Sequence, residues 1–131
     1  MLQKPLSLNS CSMTKQIERK TYAVDATDKV LGRLATDIAR HLMGKTSTSF
    51  QPHLDVGDYV TVTNVANMKV TGKKYEQKVY HHHSGHPGGI KAKTMRQLWE
   101  QDPALVLRAA VSRMLPKNKH RDTRLQRLTI S

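Results

Sequence analysis

Residues 79–93 read VYHHHSGHPGGIKAK, a stretch that gathers four histidines, three glycines and two lysines into fifteen positions. Three chemistries suit those residue types: metal ligation, a phosphate-cradling loop, or a surface that lies against a large polyanion. On a strand His81 and His83 share a face while His82 points the other way, so two imidazoles could converge on a metal, with His86 beyond the turn as a third ligand. Zinc sites normally add Cys or carboxylate ligands, whereas the nearest carboxylate in sequence is Glu76 and no H-E-x-x-H pattern supplies a general base. Contact with a polyanion uses more of the residues. Gly85, Gly88 and Gly89 let a backbone approach a partner closely, Tyr80 and neutral histidine hydrogen-bond phosphate or ribose and stack on bases, and flanking lysines neutralise phosphates. A plain surface turn is the alternative without function.

Other candidate chemistries fail on spacing. The tetrapeptide GKTS at 44–47 looks like the end of a P-loop, but the pattern needs glycine at position 39, which is Ala39, and a helical pattern precedes Gly44 where a strand should. The glycines at 85, 88 and 89 also have the wrong spacing for a dinucleotide fingerprint. Ser84 adjoins histidine in sequence, yet adjacency on a strand or tight turn does not aim one side chain at the other. No catalytic constellation emerges, and neither enzyme activity nor a cofactor or metal is expected. The rival reading from another class is a small metalloenzyme using His81, His83 and His86.

Charge favours the polyanion. The chain of 131 residues has 22 Lys and Arg against 10 Asp and Glu, a net charge of +12. Residues 69–93 carry six basic groups against Glu76, and residues 113–127 carry six against Asp122, so these 40 residues hold +10 and the other 91 only +2. Such clustering points first to nucleic acid. One cysteine, Cys11, leaves no internal disulfide and fits a reducing compartment, and no apolar run approaches a membrane span. Residues 1–16 lack a secretory pattern and read as a flexible tail, with Met13 as an alternative start and a transit peptide as the weaker reading, while 17–131 read as one domain.

The elements that must position these groups follow from periodicity. TYAVDA (21–26) is a short β-type run. Leu31, Leu34, Ala35, Ile38 and Leu42 then mark the buried face of a helix over 28–43, with Asp28 as its N-cap and Gly44 as its left-handed C-cap. Strands are expected at 58–65, 68–72 and 78–83, the last broken by the Gly-Pro cluster 84–89. Thr94 and Gln97 form a capping box, and Asp102 with Pro103 opens another helix buried through Leu107, Ala110, Val111 and Met114 and stopped by Pro116. NKHRDTRLQR is a charged linker or short helix, and LTI a last strand. The order of elements implies an α/β layered domain.

The blocks DATDKVLGRLATDIARHLMGK, FQPHLDVGDYVTVTN, KVTGKKYEQKVYHHHSGHPGGIK and VSRMLPKNKHR resemble successive signatures of the large-subunit ribosomal protein thirteen family in its bacterial form, from about Lys20 to Ile130. The resemblance implies a three-layer α/β/α domain with a small, mostly parallel sheet and a structural, early-assembling role in the large ribosomal subunit. It implies contacts with large-subunit ribosomal RNA and neighbouring ribosomal proteins, binding of the protein's own messenger RNA in some relatives, no membrane, and a ribosome in the bacterial cytoplasm, with an organellar ribosome as the alternative. A free RNA-binding translational regulator is the second reading. RNA contacts are expected in the Lys73–Lys93 block (Lys73, Lys74, Lys78, Tyr80, His81, His82, His83, Gly85, His86, Gly88, Gly89, Lys91 and Lys93). They are also expected around Met114–Arg121 (Arg113, Lys117, Lys119, His120, Arg121 and, just beyond, Arg124) and at Arg33 and Lys45 on the first helix and past its end. The family usually continues past the last strand with a His- and Pro-containing tail, whereas this sequence is read to Ser131, so the resemblance carries over no contacts for that tail.

Overall fold

The computed structural model describes residues 19–131; the expected tail over 1–16, Met13 and Cys11 lie outside the described residues. Strand β1 (Thr21–Asp25) leads into helix α1 (Leu31–Met43), strand β2 (Tyr59–Thr63) and the short helix α2 (Lys74–Gln77). Strands β3 (Val79–His83) and β4 (Ile90–Thr94) follow, then helices α3 (Met95–Gln101), α4 (Pro103–Met114) and α5 (His120–Gln126), and strand β5 (Leu128–Ile130). The chain forms a single α/β domain around a small parallel sheet of order β1-β2-β5.

That strand order decides the layering. Both crossovers, β1 to β2 through α1 and β2 to β5 through α4, step the same way across the sheet, and right-handed crossovers then put their helices on one side. Accordingly α1 and α4 pack on each other. Val24, Val60, Val62 and Leu128 point into the helices and are buried, while Thr21, Ala23, Asp25, Tyr59, Thr63 and Thr129 on the opposite face are exposed. Among the described residues the helices α1 and α4 therefore cover one face of this small parallel sheet, as the α/β domain expected from the sequence requires.

Helix α1 buries the expected face, Leu31, Leu34, Ala35, Ile38 and Leu42, and ends at Gly44, whose φ of 78° gives the left-handed cap. Its start differs from expectation. Asp25 accepts hydrogen bonds from the backbone and hydroxyl of Thr27, at 3.0 and 2.7 Å, which turns the chain early and leaves Asp28 with a φ of 58°. Asp28 therefore does not cap the helix; its carboxylate pairs with Lys69 Nζ at 2.9 Å. The N-cap is Val30, and the backbone N–H of Leu31 donates to the Lys69 carbonyl at 2.9 Å. The segment 68–72, expected as a strand, contributes only this isolated pairing of Val30 with Lys69, so it caps the helix instead of extending the sheet.

Downstream, both halves of the capping box form: Gln97 N–H donates to Thr94 Oγ1 at 3.3 Å and Thr94 N–H to Gln97 Oε1 at 3.0 Å. Asp102 accepts from Ala104 N–H at 2.8 Å with Pro103 at the first helical position. Leu107 and Val111 are buried as expected and Val106 joins them. Met114 is 40% exposed because α4 runs past the core there, and Leu115, just beyond the helix, is the residue that turns inward.

Candidate nucleic-acid interface

The histidine-glycine stretch is an antiparallel hairpin, apart from the main sheet, with Tyr80 opposite Lys93, His82 opposite Lys91, and His83 opposite Ile90. Strand β4 is not among the strands expected from sequence; the alternation Ile-Lys-Ala-Lys after the glycine-rich turn is the signal that marks it. Every residue of the two strands is exposed except Tyr80 and Thr94, which are half-buried. At the tip, Ser84 N–H donates to the Gly89 carbonyl at 3.1 Å and Gly89 N–H to the His86 carbonyl at 2.9 Å. Gly85 N–H donates to His83 Nδ1 at 2.9 Å, which leaves Nε2 as that ring's donor to an outside partner. Gly88 stands in open space at a φ of +73°, so the backbone turn itself requires glycine there.

Tyr80 joins this hairpin to the second basic run. It packs against the core, and Lys78 Nζ and Arg113 Cζ each lie 5.2 Å from its ring centroid, within cation–π range. The hairpin base is held by Met95 N–H donating to the Lys78 carbonyl at 2.8 Å, with Met95 fully buried. Past Arg113, Lys117 and Lys119 are exposed in the turn before α5, with His120 and Arg121 half-buried at its start. Arg33 is exposed on α1 one turn before Thr36, whose hydroxyl reaches Met114 Sδ at 3.4 Å, so it lies on the side of the α4 end. Lys73 and Lys74, at the start of α2, are exposed beside β4. Lys45 is exposed but not part of this grouping: it follows the far end of α1, about 18 Å along the axis from Arg33 at 1.5 Å per residue.

Arg124, expected at the interface, is a correction. It is 2% exposed, and its Nε donates to Asp55 Oδ1 at 3.2 Å. Arg127 is 6% exposed and grips the same carboxylate with two nitrogens, at 2.6 and 2.8 Å, while its Nη2 also donates to the Leu42 carbonyl at 3.3 Å. These two cations of the second basic run hold the fold together, because a buried guanidinium requires a carboxylate partner and Asp55 provides it. Burial pushes the Asp55 carboxyl up, but the hydrogen bonds and charges of Arg127 and Arg124 outweigh it and hold the group below the usual carboxylate range. Gly57 belongs to the same knot, since a Cβ there would collide with the Leu42 carbonyl.

The histidines do not assemble a metal centre. His81 and His83 share a face, as strand alternation requires, yet among the described residues no three His, Cys, Asp or Glu side chains come together as ligands for an ion. No described helix is long and apolar enough to cross a membrane. Fold and charge together define a basic α/β domain with an exposed cationic hairpin. The model of the family Ribosomal protein L13 matches residues 19–130. The chain is 49% identical to large ribosomal subunit protein uL13 of Thermotoga petrophila over 96% of its own length and 85% of the relative's. It is 50% identical to the protein of the same name in Legionella pneumophila, covering 79% and 72% of the two chains, and 48% identical to that of Aquifex aeolicus, covering 88% and 81%. This chain belongs to the ribosomal protein L13 family, a structural and non-enzymatic family of ribosomal proteins.

Proposed function

We propose that the chain is a structural constituent of the large ribosomal subunit that binds large-subunit ribosomal RNA during early assembly, in the ribosome of a bacterial cytoplasm and beside other ribosomal proteins. The observation that carries this reading is the meeting of the two basic runs at Tyr80, where Lys78 and Arg113 approach one ring. Hairpin, α4 end and the turn with Lys117 and Lys119 then offer one exposed cationic region to a phosphate backbone. Binding to folded large-subunit ribosomal RNA, followed across salt concentrations, tests it. If the region neutralises about six phosphates, the log–log slope of affinity against salt is roughly −4 to −5. Replacing Lys91 and Lys93 together by Gln is expected to shallow that slope by about one to two. Gly88→Val acts differently: it strains a turn at positive φ, so it weakens binding while leaving most of the slope. Full incorporation of both variants into large-subunit particles at low and high salt would overturn the proposal. Sedimentation of the protein away from ribosomal particles would favour a free regulator.

A further inference from the structure

The hairpin has two chemically different faces, and the charge on one accounts for only half of it. Cross-strand partners in an antiparallel ladder project to the same side, so Tyr80, His82, Lys91 and Lys93 share one face and Val79, His81, His83, Ile90, Ala92 and Thr94 the other. The first face turns toward the body of the domain at its base, where Tyr80 packs on the core and Lys93 Nζ reaches Gln101 of α3 at 3.5 Å, while His82, Lys91 and Lys93 stay exposed. The second therefore looks outward. It carries no lysine, arginine or carboxylate in a chain of net charge +12, and its Ile90, at 65%, is among the most exposed large apolar side chains of the domain.

A two-stranded ribbon gains little stability of its own in water, and this one is held to the domain by one face only, so its outward apolar face is available to a partner. We infer that this outward face packs on unstacked bases and riboses of the same RNA whose phosphates meet the lysine face, so that the hairpin is gripped from both sides. The inference rests on the RNA-binding reading above. The occupant follows from continuity: the faces are opposite sides of a ribbon one strand thick, joined by a tip whose glycines leave the backbone bare, so a strand held at Lys91 and Lys93 runs directly onto Ile90 and His81. Imidazole and aliphatic surfaces suit base faces, which are stacked upon and not ion-paired. The fixed orientation of His83, with Nδ1 satisfied by Gly85, leaves a Nε2–H donor for a ribose hydroxyl or base edge.

The two contacts predict separable readouts on full-length bacterial large-subunit ribosomal RNA folded in magnesium. Ile90→Thr keeps a β-branched residue in the strand and His81→Thr introduces one, so the ribbon's propensity is retained while the apolar or ring surface is lost. Each is expected to lower affinity on the order of tenfold at every salt concentration, with an unchanged salt slope and loss of base protection from dimethyl sulfate. His81→Tyr, which keeps a stacking surface, should bind as the parent does. The Lys91→Gln, Lys93→Gln variant should show the converse, a shallower slope with base protection intact. If the threonine variants bind and protect like the parent while the lysine variant does not, this inference fails and the RNA-binding reading stands; a protein partner or solvent then covers the outward face. If neither set matters, the RNA-binding reading falls, and this inference with it.

Discussion

Replacing Asp55 by Asn is expected to cost about 3–5 kcal/mol of folding stability, the usual consequence of leaving a buried ion pair with one partner missing. Asp55 is the common acceptor of Arg127 and Arg124, which are 6% and 2% exposed, and Arg19 Nη2 adds a longer approach of 3.9 Å. An asparagine at this position would strand two guanidinium charges with no carboxylate inside the domain. The damage spreads because the same knot holds the loop after α1: Arg127 also binds the Leu42 carbonyl, and Gly57 passes against that carbonyl with no room for a Cβ. Denaturant titration at neutral pH measures the loss. Acid provides the second arm. The folded protein holds the Asp55 carboxyl below its ordinary value of 3.8, so the folded state binds that proton less readily than the unfolded chain does. The stability this provides is fully present above about pH 4, the unfolded carboxyl value, and is lost as pH falls through the lower, folded value. The gap between parent and Asp55→Asn midpoints should therefore narrow in acid, and a gap independent of pH would mean that the carboxylate charge is not what holds the two arginines.

The parts of this fold that sequence predicts well are those decided within one turn of chain. The buried stripe of α1, the Gly44 cap, the Thr94–Gln97 capping box and the Asp102-Pro103 start of α4 depend on neighbours three or four residues away. Asp28 shows where locality fails: its composition suits an N-cap, but Asp25 turns the chain first and a carbonyl from Lys69 takes over the capping. Strand order in the sheet is non-local for the same reason, since no short window of residues records that β2 lies between β1 and β5. Arg124 fails most instructively. In sequence it is one more cation in a basic run, and only Asp55, 69 residues earlier, makes it internal. In the candidate site, residue types were legible and pairings were not. Histidines, glycines and lysines of 79–93 stand out in composition, but which lysine shares a face with Tyr80 depends on the β3–β4 register.

Ile38→Ala should produce a loss of similar size by different physics, about 2–5 kcal/mol for truncating a fully buried aliphatic side chain. Ile38 has no exposed surface and sits mid-way along α1 among Leu34, Ala35 and Leu42, within the single core that α1, α4 and the inner face of the sheet share. Among the described residues one core cluster joins α1, α4 and the sheet, so a loosened α1 takes that core with it. Truncation at this point removes apolar contact and leaves a cavity, with no charge exposed or stranded. Its cost is therefore expected to be the same at pH 7 as in mild acid, in contrast to Asp55→Asn. Arg40→Ala, two residues along on the exposed side, is the control: its 3.9 Å pair with Asp37 is solvent-exposed and contributes at most about 1 kcal/mol. Under conditions where Ile38→Ala remains folded, its RNA salt slope should match the parent's, since every exposed cation is retained. An unchanged unfolding midpoint for Ile38→Ala would refute the packing of α1 into the core through this face. A changed salt slope in the folded variant would instead show that the cationic region depends on how α1 seats against α4, the end of which Arg33 flanks.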